Sequence, residues 1–498
     1  MVAYKLLYSY GITILWIATV TSICDLTRPQ NSWQSRLSHQ TNPHLQNVRQ
    51  GVYHPPAYVV LWNSYLKVCM AARPDDLASL ADLPSPADSR RRIPPATAED
   101  IEAMADQAAD ILKEAVAAAL EPQQRKVLRK WNLKEVAELL GISRKTLERG
   151  IDDGKLPGGE RVATGRRLFS LEEVHKIQEI LGLLPWRDSK TDRPIVIAVA
   201  NFKGGVAKTS TSIHLGQYFA LRGYRTLMID IDAQGSLTTL FGLRPDADVK
   251  PEHTLAPWLY GPKHTEGPEG WTGTLATAIQ PTYWHGLDLI AANLQLYGAE
   301  FALAARQAQE PNFRFYRVLT DGIATVSDKY DVIVIDTPPS LTYLTTNAIY
   351  AANGIVMPVP PAMMDFASSV SFFQLLSELV QVTNQNEAER KKFDFLGILI
   401  SKYEPKNPTH IAIHDWLRAA FARRVLVNTM SMTTILRIGA DIKTAYEIER
   451  YEGDRRTLSR AIEYLNGVNG EIEDVVRAQW PSKSLPAAKP GRIRAVTP

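Results

Sequence analysis

One ten-residue loop constrains this chain more than any other segment. Residues 201–210 read Asn-Phe-Lys-Gly-Gly-Val-Ala-Lys-Thr-Ser, and they lie between an apolar run at 195–200 and a helical pattern. A glycine-rich loop between a strand and a helix directs backbone N–H groups and the positive end of the helix dipole toward a phosphate. We therefore expect the N–H groups of Gly204, Gly205 and Val206 to bind phosphate oxygens.

Two lysines flank these glycines. In such a loop Lys208 reaches the β- and γ-phosphates, and the Thr209 hydroxyl binds Mg²⁺. The usual spacing G-x-x-x-x-G-K-[ST] is not met, because Phe202 and Ala207 occupy the two glycine positions. The predicted nucleotide-binding set is Lys203, Gly204, Gly205, Val206, Ala207, Lys208, Thr209 and Ser210.

Carboxylates follow two further apolar runs. The segment 226–236 carries Asp230 and Asp232, and the segment 330–340 carries Asp336. The carboxyl ends of parallel strands face the ligand crevice, so Asp336 is expected to bind Mg²⁺ through water and Asp232 to orient an attacking water. Taken alone, each aspartate is equally typical of a turn or a helix cap.

Several of these segments resemble one protein family. Residues 203–210 resemble the deviant Walker A box of the ParA/MinD family of dimeric ATPases. Residues 230–236 resemble its D-x-D-P-Q-[GA]-S box, with Ala233 in place of proline, and 330–340 resemble its Walker B strand. Four shorter segments resemble the RepA partition proteins of repABC plasmids: 201–205, 364–368, 401–405 and 446–447. The resemblance covers roughly residues 95–475.

The resemblance implies a fold and a function. The fold is a doubly wound, mostly parallel α/β sheet of the deviant P-loop type, and the activity is ATP hydrolysis with ATP and Mg²⁺ as cofactors. Lys203 and Asp232 are then catalytic, with Lys203 reaching across a homodimer to the partner's nucleotide, and Thr209 and Asp336 hold the metal. The ATP-bound homodimer binds DNA without sequence preference, and a centromere-binding protein of the ParB/RepB type stimulates hydrolysis. The implied localisation is cytoplasmic and nucleoid-associated.

Residues 130–184 predict a DNA-binding unit that resembles a MerR-like winged helix. A short helix at 133–140, a turn at 141–143 and a second helix beginning at Arg144 form a helix-turn-helix, and a glycine-flanked hairpin and another helix follow. The predicted DNA-binding residues are Arg144, Lys145, Arg149, Arg166 and Arg167, with Arg161 beside them. The alternative is a small helical adaptor with a solvated basic face.

Length and composition limit the remaining interpretations. The 498 residues suggest about three domains, and the net charge of +3 is too small to indicate nucleic-acid binding by itself. The predicted order is an apolar, aromatic extension (1–69), a flexible leader (70–95), an N-terminal helix (96–125), the winged helix-turn-helix (130–184), a linker (185–194), the ATPase domain (195–480) and a disordered tail (481–498).

The first 69 residues differ from the rest of the chain. They hold one acidic residue, Asp25, together with both cysteines, and residues 6–24 are uncharged. A membrane anchor, a cleaved secretory signal or a mis-assigned translation start at Met70 would each account for them. We favour the mis-assigned start, because the chain becomes polar and alanine-rich from residue 70.

Other functions fit the sequence less well. A MinD-like membrane ATPase needs a C-terminal amphipathic helix, which the proline-broken tail does not offer, so no stable membrane partner is expected. An iron–sulfur reductase needs cysteine ligands that the ATPase region lacks. A chromosome segregation ATPase and a nucleotide-responsive transcriptional repressor remain the alternatives. For non-specific DNA binding, Arg418, Arg423 and Arg424 are candidates, although a solvated helix face explains them equally well.

Overall fold

The fold is that of a computed structural model, which describes residues 96–119, 126–163, 165–184, 186–261, 274–383, 391–431, 443–449 and 455–483. The predicted extension, the predicted leader and most of the predicted tail lie outside the described residues. Within the described part of the chain, no helix has both the length and the apolar character needed to cross a membrane.

Strands and helices alternate through most of the chain. The strands are β1 (Trp131–Asn132), β2 (Glu160–Arg161), β3 (Arg167–Phe169), β4 (Ile195–Val199), β5 (Thr226–Asp230), β6 (Gln280–Pro281), β7 (Leu287–Ile290), β8 (Val332–Asp336), β9 (Gly354–Val359) and β10 (Phe395–Ile400). The helices are α1 (Ala98–Ala119), α2 (Leu133–Leu140), α3 (Arg144–Asp152), α4 (Leu171–Ile180), α5 (Lys208–Leu221), α6 (Ser236–Leu240), α7 (Ala256–Tyr260), α8 (Gln295–Gln309), α9 (Val318–Ala324), α10 (Tyr343–Ala351), α11 (Met363–Thr383), α12 (Pro408–Phe421) and α13 (Arg455–Ala478).

Helix α1 lies in the first of two units, which are divided between Pro122 and Gln123. A reciprocal cap begins the helix: the Thr97 N–H donates to Asp100 Oδ2 (2.8 Å), and the Asp100 N–H donates to Thr97 Oγ1 (3.2 Å). The side chains of residues 96–108 are exposed. Thr97 therefore caps this helix and fixes where it begins.

The second unit, Gln123–Pro498, opens with the helix-turn-helix. Asn132 caps α2 with a full capping box, Gly141 ends α2 in the left-handed conformation, and Ser143 caps α3. Strands β2 and β3 form an antiparallel hairpin that is completed by β1, in the order β1-β3-β2. Trp131 and Phe169, both at most 1% exposed, lie in the core beneath the helices.

A seven-stranded sheet forms the centre of the second unit, in the order β10-β9-β4-β8-β5-β7-β6. All neighbours run parallel except the short edge strand β6, which pairs antiparallel with β7. In β4 and β8 every residue is buried, as expected for strands covered on both faces. The predicted fold class, a doubly wound and mostly parallel α/β sheet preceded by a helix-turn-helix domain, is confirmed.

Successive residues of the central strands enter different layers of the core. Ile195, Ile197 and Val199 of β4 pack in the cluster that includes α5 and α13, whereas Val196 packs in the cluster that includes α7 to α10. A third cluster lies around β9, β10, α11 and α12. The parallel pairing of β4, β8 and β5 places their carboxyl ends at one edge of the sheet, where α5 begins.

The helix-turn-helix domain shares the α5-side core with the seven-stranded sheet. His175 of α4 donates from Nε2 to the Ala220 carbonyl (2.7 Å), and Trp186 Nε1 donates to the Arg222 carbonyl (2.6 Å). Arg222 in turn donates to the Leu139 carbonyl of α2 (3.2 Å). These contacts hold the helix-turn-helix domain against the C-terminal end of α5.

The charged segment after α4 is packed rather than extended. Arg187 is 3% exposed and pairs with Asp331 (3.1 Å), while Asp192 accepts hydrogen bonds from the Ser482 N–H and hydroxyl. The segment connects the two domains in sequence, but its buried ion pair and the shared core join them into one unit.

Candidate nucleotide site and DNA-binding surface

The phosphate loop is held in place at its first residue. Asn201 is 2% exposed; its Nδ2 donates to the Pro358 carbonyl (2.9 Å) and its Oδ1 accepts the Lys203 N–H (3.0 Å). Gly205 and Ala207 both have left-handed backbones, with φ of 72° and 77°. For alanine this conformation costs about 1–2 kcal/mol, so the loop keeps at Ala207 a shape that glycine would adopt without strain.

Lys208 points back across the loop. Its Nζ donates to the Lys203 carbonyl (3.0 Å), and the residue is 7% exposed. Burial lowers the pKa of Lys208, while the nearby charges of Asp336 and Asp232 oppose this shift. The structure thus brings the lysine and both predicted carboxylates into one electrostatic cluster at the start of α5.

Asp336 lies at the end of β8 and is fully buried. Its Oδ1 accepts a hydrogen bond from Ser212 (2.8 Å), whereas Oδ2 has no hydrogen-bond partner among the described residues. Burial, with a smaller contribution from the charge of Asp232, raises the pKa of Asp336 to about 6. A hydrogen bond from the Thr209 hydroxyl acts to lower this pKa. A buried carboxylate oxygen without a partner, next to a threonine hydroxyl, fits a Mg²⁺ ion.

Asp232 lies in the turn after β5 and is half-buried. Its Oδ1 accepts the Gln234 N–H (3.0 Å), and its own N–H donates to Asp230 (3.1 Å). Asp230 pairs with Asp336 in the strand register and is bound by the N–H and hydroxyl of Thr238. Burial, and after it the charge of Asp336, raises the pKa of Asp230 to about 8. Asp230 thus supports the turn that positions Asp232.

Lys203 points away from the phosphate loop. Its Nζ forms an ion pair with Asp365 (2.7 Å), in the first turn of α11, and its side chain is 36% exposed. Asp365 is much more buried, with 11% of its side chain exposed. The two lysines of the loop are therefore separated: Lys208 lies within it and Lys203 lies at its rim.

The predicted DNA-binding residues divide into two groups. Arg144, Lys145, Arg149 and Arg166 are exposed on the helix-turn-helix domain, as is Arg161. Arg167 is different, because it donates to the Gly158 carbonyl (3.1 Å) and to Asp152 (3.2 Å) and is 21% exposed. Its side chain attaches the hairpin to α3, so it contributes to the domain's structure whatever its role toward DNA.

The three arginines suggested for non-specific DNA binding also differ. Arg418 on α12 donates to the Leu426 carbonyl (2.9 Å) and to the Val427 carbonyl (3.0 Å), so it closes the turn that follows the helix. Arg423 and Arg424 are exposed in that turn.

Comparisons with known proteins agree with this arrangement. The AAA domain family matches residues 195–390, and the helix-turn-helix domain family matches residues 132–179. A relative named "ParA family protein" from Chlamydia trachomatis is 32% identical over 235 residues, which are 46% of this chain and 80% of the relative. The chain belongs to the ParA family.

Two further comparisons extend over more of this ParA-family chain. The protein named "Putative replication protein A" of Sinorhizobium fredii is 34% identical over 376 residues, which are 73% of this chain and 89% of the relative. A solved structure titled "Partition Protein" covers 75% of this chain and 98% of its own, with a TM-score of 0.54 and 21% identity. The chain is thus a ParA-family ATPase with a helix-turn-helix domain, and the recognition of a ParA-type protein near the RepA group is confirmed.

Some site-supporting residues of this ParA-family protein gave no signal that could be interpreted from sequence. Glu447 is 8% exposed and accepts hydrogen bonds from Lys126 (3.1 Å), Gln217 of α5 (3.1 Å) and Trp284 (3.3 Å), and also from Tyr283. The pair 446–447 was part of the family resemblance but suggested no role. Glu447 therefore connects three parts of the structure: the segment before the helix-turn-helix domain, helix α5 and the loop before β7.

Proposed function

We propose that this protein is the ATPase of a plasmid partition system and also represses its own operon. Two features together support this proposal. The phosphate loop has Lys208 inside it and Lys203 at its rim. A helix-turn-helix domain with exposed basic residues packs on α5, the helix that follows this loop. Its ligand is ATP with Mg²⁺, and its working place is the cytoplasm at the nucleoid. A centromere-binding protein of the ParB/RepB type stimulates hydrolysis by the ATP-bound dimer.

Hydrolysis requires few residues of this chain. Lys208 neutralises charge on the β- and γ-phosphates, and the loop N–H groups orient them. Thr209 and Asp336 would hold Mg²⁺, which supplies further positive charge to the phosphate oxygens. Asp232, half-buried at the end of β5, orients the attacking water. These roles follow from the cluster that Lys208, Asp232 and Asp336 form at the edge of the sheet.

Lys203 is assigned to the dimer. In the single chain its ammonium is paired with Asp365 at the rim, and it is not bound within the loop. In the proposed dimer it leaves Asp365 and neutralises the phosphates bound to the second subunit.

Lys203→Ala should leave ATP binding by the monomer almost unchanged but prevent dimerisation and hydrolysis, because Lys208 remains in the loop. Calorimetric titration measures the first property, and light scattering with ATP measures the second. Asp365→Asn is the matched control: it removes the ion pair but keeps the lysine, so this variant should still dimerise. Dimers of Lys203→Ala, or the same dimerisation defect in both variants, would contradict the role across the interface.

The exposed basic residues of α3 are assigned to an operator. Arg144 and Lys145 lie in the first turn of the second helix of the motif, which is the position that enters the major groove in helix-turn-helix proteins. Arg149 of the same helix is assigned to the major groove with them, and Arg166 to the DNA backbone or minor groove. Arg144 also pairs with Glu148 (2.9 Å), an exposed contact that DNA phosphates could replace.

Replacing Arg144 and Lys145 together with alanine should weaken binding to the DNA upstream of the gene by at least about 10-fold, since each base or phosphate contact contributes about 1–3 kcal/mol. ATP turnover should remain that of the wild type. The charge-matched control replaces Lys134 and Lys155, which are exposed elsewhere on the same domain. Equal losses on operator and random duplexes would indicate phosphate contacts without operator recognition.

A nucleotide-responsive repressor without a partition role is the second candidate, favoured by the packing of the DNA-binding domain on the phosphate-loop helix. A repressor needs nucleotide binding but not turnover. The two functions are separated in a strain whose protein binds ATP without hydrolysing it. Loss of the plasmid from this strain supports the partition role, and retention supports the repressor.

A further inference from the structure

Two residues that follow β10 contact the phosphate loop from outside. Ser401 is fully buried; its N–H donates to the Val359 carbonyl (3.0 Å), and its hydroxyl donates to the Val206 carbonyl (2.9 Å). The next residue, Lys402, donates from Nζ to the Gly205 carbonyl. Two consecutive carbonyls of the loop are therefore bound by side chains that lie about 195 positions later in the sequence.

The backbone at this point is unusual. Lys402 has φ of 54°, and it is one of three non-glycine residues with positive φ in the described part of the chain; Ala207 of the phosphate loop is another. A strained conformation persists only where the surrounding structure holds it. The buried Ser401 holds it on one side, and on the other the Tyr403 N–H donates to the Met430 carbonyl (3.0 Å).

These contacts determine which way the loop peptides face. A trans peptide is planar, so its C=O and the N–H of the following residue point in opposite directions. When Lys402 binds the Gly205 carbonyl, the Val206 N–H points to the other side of the loop. When Ser401 binds the Val206 carbonyl, the Ala207 N–H does the same.

We propose that Ser401 and Lys402 are positioning residues that orient the Val206 and Ala207 N–H groups toward the bound phosphates. The proposal rests on the proposed function, in that the loop at 201–210 is taken to bind the nucleotide. It gives a role to the segment 401–405, to which the sequence assigned none.

Ser401→Ala and Lys402→Ala should each weaken binding of ATP and ADP by about 10-fold, because each removes one hydrogen bond that orients a loop peptide. The KM for ATP should rise more than kcat falls, because the chemical groups at Lys208, Asp232 and Asp336 are unchanged. Ser401→Thr keeps a hydroxyl and should restore most of the affinity. Calorimetry with ADP and steady-state hydrolysis by the full chain supply the measurements.

Two variants of Lys402 distinguish the effect of its ammonium donor from the effect of its left-handed backbone. Lys402→Ala and Lys402→Gly both remove the ammonium, but only glycine also relieves the left-handed strain. Equal losses of affinity support the donor role, whereas recovery in Lys402→Gly would contradict it. Lys406→Ala, an exposed lysine of the same loop, is the charge-matched control and should bind nucleotide like the wild type.

A purely structural role predicts a different result. In that case the thermal midpoint of the nucleotide-free protein falls, and the affinity of the folded fraction for ADP does not change, which would overturn the proposal. Lys208→Ala serves as the reference. If it abolishes binding while Ser401→Ala and Lys402→Ala bind normally, the positioning role fails and the proposed function stands. If Lys208→Ala binds normally, both fail.

Discussion

Lys208→Ala should reduce the affinity for ATP and ADP by about 10- to 100-fold, because a charged hydrogen bond to phosphate contributes about 1.5–3 kcal/mol. The side chain is buried against the loop, 7% exposed, with its ammonium beside the Lys203 carbonyl. Lys203 cannot substitute for it in the single chain, since Asp365 holds that lysine at the rim. Titration calorimetry with ADP measures the loss directly.

Folding of the Lys208 variant must be checked separately. The lysine contributes one hydrogen bond within the loop, so the unfolding free energy should fall by only about 1 kcal/mol. A thermal midpoint close to that of the wild type, combined with lost nucleotide binding, assigns the effect to the phosphates. Affinity within a few-fold of the wild type would place the nucleotide site elsewhere.

Asp232→Ala should bind ATP and form the dimer, yet hydrolyse ATP about 10²–10⁴-fold more slowly, which is the usual contribution of a positioned acid–base group. The ATP-bound dimer should accordingly persist on DNA. Single-turnover hydrolysis with labelled ATP measures the chemical step without product release. A wild-type rate in that experiment would remove Asp232 from the reaction.

Asp232→Asn is the matched control for this variant. An asparagine retains an oxygen that can accept the Gln234 N–H, a bond of 3.0 Å in the structure, so the turn after β5 should stay intact. Equal losses of hydrolysis in the alanine and asparagine variants would assign the effect to the carboxylate charge. A defect in alanine alone would indicate that only the turn geometry depends on this residue. A hydrolysis-deficient chain that still maintains its plasmid would favour the repressor function.

The elements that could be predicted from sequence are those with local signals. The glycine-rich loop, the apolar strands that precede Asp230 and Asp336, and the caps at Asn132 and Ser143 are each specified by residues within a few positions of one another. The doubly wound, mostly parallel sheet followed from the alternation of strands and helices, because parallel strands need crossover helices. The fold class was therefore accessible before the structure.

The contacts that sequence reasoning missed join residues far apart in the chain. Lys203 meets Asp365, Ser401 meets Val206, and Glu447 meets Lys126 only after the sheet is assembled. Neither periodicity nor spacing records such pairs. The packing of the DNA-binding domain was missed for a related reason: the charged composition of residues 186–194 is typical of a linker, and only the fold shows that Arg187 is buried against Asp331.

Helix α5 connects the phosphate loop at its first residue to the helix-turn-helix domain at its last turn. Its fourteen residues span about 21 Å without a break. The phosphate loop precedes its first residue, and the hydrogen bonds from His175 and Trp186 reach the chain around its last turn. A tilt of about 5° at the loop would displace the far end of the helix by about 2 Å. A displacement of this size is comparable to the length of a hydrogen bond to DNA. In the proposed operator-bound dimer, two recognition helices would have to match half-sites about 34 Å apart. A small change at the phosphates would then alter the spacing between these two helices.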